Sequence, residues 1–158
     1  MLRAGLGSMA LLACATPCEA QVAVPGDQIL GAWTCVTPGD DTEVTNSVVF
    51  LRGGKQTFDM WMKSKSPFLK LEINATGTVD WNLLADGRLE QTITKFTVVG
   101  SKVDGRPTAP GFLETITGED PTKMGQEVVN KKSDPSAVQF KDGRLIISDE
   151  RATTTCTR

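Results

Sequence analysis

The chain has 158 residues, a length that fits one domain around one core. Apolar residues make up 39% and charged residues 23%, with a net charge of −2. These values leave no basic footprint for nucleic acid and no strong field to steer a charged partner. Histidine and tyrosine are both absent, which excludes Ser-His-Asp and Cys-His catalytic sites and histidine-based zinc sites.

Residues 1–20 read as a signal peptide. Arg3 supplies a positive start, Leu6 to Ala13 a compact apolar stretch, and Cys18-Glu19-Ala20 a small-residue cleavage site before Gln21. The domain then spans residues 21–158, and the expected location is periplasmic or extracellular. A rival reading takes Leu11-Leu12-Ala13-Cys14 as a lipobox with Cys14 as the anchored residue. Cleavage after Ala20 leaves the even pair Cys35 and Cys156, whereas cleavage before Cys14 leaves Cys18 unpaired. No apolar run approaches the roughly 20 residues of a membrane-spanning helix.

Along the mature chain a period of two dominates, the mark of antiparallel strands with one buried face. Strands are predicted at Trp33–Thr37 and Val44–Arg52. In Gln56–Lys63, Phe58, Met60 and Met62 oppose Asp59 and Trp61. In Phe68–Asn74, Leu69, Leu71 and Ile73 oppose Lys70 and Glu72. Thr78–Leu84 places Val79, Trp81 and Leu83 on one face. The next strand, Arg88–Val99, changes apolar parity between Ile93 and Phe96, which requires a bulge or a bend there. Phe112–Thr117, Ala137–Lys141, Arg144–Ser148 and Thr153–Thr157 complete the set.

Asp-Gly-Arg occurs at Asp86-Gly87-Arg88, Asp104-Gly105-Arg106 and Asp142-Gly143-Arg144. The first and third, flanked by strand-like runs, read as hairpin turns. The second precedes Pro107 and Pro110 and reads as the opening of a loop. The polar stretch from Gly118 to Ser136 is either one short helix around 120–132, capped by Asp120 with Pro121 at its first position, or a long loop.

Cys35 and Cys156 lie on the first and last strands. Their pairing would bring the chain's ends together and close the meander into a barrel without exposed edges. The fold expected is therefore all-β: an antiparallel barrel or strongly curved sheet. The adjacent acidic pairs Asp40-Asp41, Glu119-Asp120 and Asp149-Glu150 would point to opposite faces of a strand, so they read as solvated turns rather than metal or acid–base sites. Glu114, between Phe112 and Ile116, would be a ligand contact if it pointed inward, but outward placement is the favoured reading. Asn74-Ala75-Thr76 matches a glycosylation sequon but also reads as a turn. Nothing in the residues calls for a cofactor or a metal.

Gly31-Ala32-Trp33 resembles the GxW signature of the lipocalins, and the run of hairpins after a signal is similar to the lipocalin-like (calycin-type) barrel proteins of bacterial envelopes. The resemblance implies that Gly31 and Trp33 are structural. It also implies that a basic residue of a late strand, Arg151 or Arg158, packs across the tryptophan. The chain departs from that family in lacking the tyrosine of its second motif and in placing its possible helix before two strands. The function expected is non-enzymatic binding of a small apolar molecule inside the barrel, near Phe58, Met60, Met62, Leu71 and Trp81. The alternative is a protein-binding envelope module, an inhibitor or immunity-type protein, using the strand around Trp61 and the 118–136 segment.

Overall fold

The structure, a computed structural model, describes residues 26–68, 70–109 and 111–158. The predicted signal segment, with Cys14 and Cys18, lies outside the described residues, as does Leu69.

Nine strands form one antiparallel sheet: β1 (Gly31–Pro38), β2 (Thr42–Leu51), β3 (Lys55–Ser64), β4 (Leu71–Leu83), β5 (Arg88–Val103), β6 (Arg106–Pro107), β7 (Ser136–Lys141), β8 (Arg144–Ser148) and β9 (Thr153–Thr157). Eight of them close a ring in the order β1-β2-β3-β4-β5-β7-β8-β9 and back to β1, while the two-residue β6 pairs only with the end of β5. The last seam is Thr34–Val36 against Thr155–Thr157, with Cys35 directly opposite Cys156 and disulfide-bonded to it. A bond across this ladder ties together residues 121 apart in sequence. It thereby restricts the unfolded chain, a contribution of about 4–5 kcal/mol in the chain-entropy model.

One end of the barrel is packed solid. Alternation turns Trp33 and Cys35 of β1 inward, with Val48 and Phe50 of β2, Leu89 of β5, Val138 of β7, Leu145 of β8 and Cys156 of β9. A single helical turn, α1 (Gly26–Ile29), plugs this end with fully buried Ile29. Trp33 Nε1 donates to the Ile29 carbonyl at 2.7 Å. The Arg158 guanidinium lies 4.3 Å above the Trp33 ring, and its Nη2 donates to the carbonyls of Gln28 and Leu30. Gly31 enters the strand at φ 109°, a conformation that favours glycine. The cation over Trp33 is thus Arg158. Arg151 sits in the β8–β9 turn, where its backbone N–H donates to Asp149 Oδ1, because the β1–β9 register carries Arg158 to Trp33 and leaves that turn at the opposite end of β9.

Several elements differ from the sequence-based expectation. Where two strands are predicted, at 68–74 and 78–84, one strand, β4, runs unbroken from Leu71 to Leu83. No turn is needed at Asn74. Its amide bridges to Asp59 Oδ1 (2.7 Å) and the Met60 carbonyl (3.0 Å), which keeps it in the ladder and also seals the sequon. Gly77 stays in the strand because it faces Phe58 and Phe96, and a Cβ there would fall 2.6 Å from the Phe58 ring. Phe112–Thr117 is not a strand but a helix, α2. It is isolated from any ladder by Gly111 (φ 81°) and Gly118 (φ 73°), and the Thr115 and Thr117 hydroxyls turn back onto the Gly111 and Leu113 carbonyls. Only Leu113 of α2 is buried, and Glu114 is exposed, in the outward placement favoured from sequence.

The second Asp-Gly-Arg makes a two-residue hairpin turn rather than a loop. Asp104 (φ 49°) and Gly105 (φ 76°) join β5 to β6, and Pro107, which has no N–H to give, ends it. Residues 118–135 are the long connection, with one 3₁₀ turn at Gln126–Val128. Gly125, at φ 74°, stops an α-helix from running through the segment. Asp120 instead binds the N–H and hydroxyl of Thr122 in a local turn. The parity change in β5 is a bulge: Thr78 faces Lys95 while Val79 faces Ile93, leaving Thr94 as the extra residue. A second bulge leaves Val99 between Val98 and Gly100.

Candidate ligand cavity

Above the packed end the barrel is hollow. A cavity of about 420 Å³ lies between β2, β3, β4 and β5. This is within the range of about 300–1,000 Å³ typical of small-molecule sites. Its apolar wall is Val48, Phe58, Met60, Val79, Ile93 and Phe96. The Phe58 and Phe96 rings, 6.1 Å apart, occupy the space left free by Gly77. Three carboxamides, Asn46, Gln56 and Gln91, interrupt the apolar surface. Gln91 Nε2 donates to Gln56 Oε1 at 2.8 Å, joining β5 to β3 across the interior.

The rim belongs to the long connection. Val128, Lys131, Lys132 and Ser133 border the cavity, and the segment is laid along β5 by backbone bonds. Asn130 N–H donates to the Ile93 carbonyl (2.7 Å) and Ser133 N–H to the Gln91 carbonyl (2.8 Å). Gln126 Nε2 reaches the Phe96 carbonyl, and Gly125 lies so close to the Phe96 ring that a Cβ would fall 2.6 Å from it. Lys132 Nζ pairs with Glu90 at 2.8 Å, a contact on the outer side of β5. Strand β7 meets β5 only at Ser136–Ala137, so these bonds extend an otherwise short seam.

Of the residues singled out from sequence, Phe58 and Met60 line this cavity. Trp81 does not. It packs edge-on against Phe50, with ring centroids 5.7 Å apart, and donates Nε1 to the Lys55 carbonyl, which makes it part of the core's border. Met62 pairs with Ile73 and Leu71 with Val103, nearer the β3–β4 loop and outside the cavity wall. Gln56, Gln91, Ile93 and Phe96 were not singled out, although Gln56 has the parity of Phe58 and Met60, Gln91 and Ile93 that of Leu89, and Phe96 turns inward after the bulge. Trp61, on the outer face, is half-buried, with the Lys102 ammonium 4.5 Å from its ring centroid. It pairs in register with Asn74.

The carboxylates whose protonation is perturbed all lie in turns away from the cavity. The backbone N–H groups of Arg151 and Ala152 hold Asp149 below the usual carboxylate range. The Arg88 backbone and side chain do the same for Asp86, and the Thr122 hydroxyl and N–H for Asp120. Each is a turn acceptor fixed by N–H or hydroxyl donors two or three residues ahead. Among the described residues no three acidic or sulfur side chains come together as a metal site, and no helix is long and apolar enough to cross a membrane. No protein-family model matches the chain, and no curated protein matches it either.

Proposed function

We propose that this chain is a non-enzymatic, exported binding protein with a lipocalin-like barrel, which holds a small, largely apolar molecule in the cavity bounded by Phe58, Met60 and Phe96. The observation that carries the reading is the contrast between the two barrel ends. One is filled by Trp33, Phe50, Leu89 and Leu145, while the other leaves about 420 Å³ behind an apolar wall. Met60 adds a flexible, polarisable side chain that adapts to ligand shape. Export is supported by the signal-like residues 1–20 and by the Cys35–Cys156 bond, which persists in oxidising compartments.

Titration with N-phenyl-1-naphthylamine, a neutral dye that brightens in apolar surroundings, tests the binding. Wild type is expected to give saturable enhancement. Met60→Trp, which fills the space, is expected to weaken binding at least tenfold with an unchanged circular dichroism spectrum. An absence of enhancement in wild type would refute the reading.

A further inference from the structure

The polar groups inside the cavity specify more than an apolar ligand. Gln56 is 6% exposed and accepts one hydrogen bond from Gln91. A carboxamide carries two N–H donors and an acceptor oxygen with two lone pairs. After this bond, Gln56 Nε2 and Gln91 Oε1 have no partner among the described residues. Neither is a sealed atom, since no buried side-chain nitrogen or oxygen among the described residues lacks a hydrogen bond. Both therefore keep accessible surface, and both residues line the cavity. Exchanging oxygen and nitrogen in both amides leaves the same result: one NH₂ and one carbonyl oxygen, side by side, unsatisfied by protein. Asn46 adds a third carboxamide to the same wall.

A hydrocarbon pressed against these groups would strip their water and replace none of its hydrogen bonds. A carboxylate would offer no donor to the free carbonyl oxygen. The charged side chains that border the cavity, Lys131 and Lys132, are exposed on the rim segment, and Lys132 is already paired with Glu90.

We infer that the cavity takes a neutral amphiphile bound head-inward. Its head group donates and accepts hydrogen bonds at once, as a primary amide, lactam or imide does, and is seated on Gln56 and Gln91. Its apolar body lies along Phe58, Met60 and Phe96. This rests on the proposed binding function and adds the ligand's chemical class.

The test is displacement of bound N-phenyl-1-naphthylamine by three molecules of matched size: decanamide (donor and acceptor), 2-undecanone (acceptor only) and decanoate (charged acceptor). Wild type is expected to prefer decanamide to each of the others by about tenfold, the worth of one to two net hydrogen bonds. Gln56→Leu/Gln91→Leu, which removes both partners together, is expected to abolish that preference while dye binding persists. Should the double variant fail to fold, Gln91→Met serves the same purpose, with a preference reduced at least threefold. Dye binding with ketone or decanoate displacing as well as the amide overturns the head-group assignment alone. Failure of wild type to bind the dye overturns that assignment together with the binding function.

Discussion

Replacement of Trp33 probes whether the closed end holds the barrel together. The side chain is 2% exposed within the packed core, and its neighbours include the Ile29 carbonyl at 2.7 Å, the edge of Phe140 with centroids 6.1 Å apart, and the Arg158 guanidinium at 4.3 Å. A buried tryptophan removes up to about 250 Å² from water, and loss of a large aromatic side chain from a core costs about 3–5 kcal/mol. Trp33→Ala also orphans the Ile29 carbonyl, to which no other side chain donates among the described residues, so the upper end of that range is expected. Trp33→Phe keeps most of the apolar contact and loses only the donor, for about 1–3 kcal/mol.

Urea unfolding followed by far-ultraviolet circular dichroism avoids using the removed tryptophan as its own probe. The control is a pair of arginines. Arg158→Ala removes the cation over the ring and two carbonyl bonds, and about 1–2 kcal/mol of loss is expected for an exposed group of this kind. Arg151→Ala deletes a side chain whose residue contributes only a backbone N–H to its turn, and a change within about 0.5 kcal/mol is expected. A Trp33→Ala cost below about 1.5 kcal/mol, or equal costs for the two arginines, would refute the role given to this end of the barrel.

Three further outcomes follow from the same structure. Cys35→Ala/Cys156→Ala opens a 121-residue loop and should lower the unfolding free energy by about 4–5 kcal/mol; wild type with dithiothreitol in the urea titration should move the same way. Gly77→Ala brings a Cβ against the Lys95 carbonyl and within 2.6 Å of the Phe58 ring. It should cost about 1–3 kcal/mol by overpacking and weaken dye binding, as read in paired urea and dye titrations. Amide exchange should be faster at Asn130 and Ser133, which tie the rim to β5, than at Thr34 or Val36 between two neighbouring strands. Bound ligand should slow Asn130 and Ser133 selectively, as read by hydrogen-exchange mass spectrometry.

The strands were legible wherever side chains alternate, because a half-buried strand writes its burial directly into a period of two. Arg144–Ser148 and Thr153–Thr157 coincide with β8 and β9 to the residue. Alternation alone could not tell that Asn74 and Gly77 continue a strand, since that depends on partners from elsewhere: Asp59, Met60, Phe58 and Phe96. Nor could it separate α2 from a strand. Phe112–Thr117 has strand composition, and what decides is the absence of a neighbouring ladder and the left-handed glycines at each end. In the cavity, apolar residues were easy to single out and polar ones were not. Gln56 shares the parity of Phe58 and Met60, and Gln91 that of Leu89 and Ile93. A polar residue on an apolar parity is the sign that was available, but which polar residues meet is set by the β3–β4–β5 registers.

Those registers explain why one end is hollow. Counting by twos from Ile93 would turn Lys95 and Thr97 inward. An ammonium would then face the interior beside Phe58, where burial without a partner is costly. The extra residue at Thr94, whose hydroxyl lies 2.8 Å from that of Thr78, resets the alternation so that Phe96 and Val98 point in and Lys95 points out. The same step places Phe96 opposite Gly77, where the missing side chain leaves room for the rings of both Phe96 and Phe58. Gln91 lies before the bulge and keeps the parity of Leu89, so it reaches Gln56 at the lower edge of the apolar wall. The inserted residue thus lets β5 complete the packed core at Leu89, pass the paired glutamines, and line the chamber with Ile93 before the bulge and Phe96 after it.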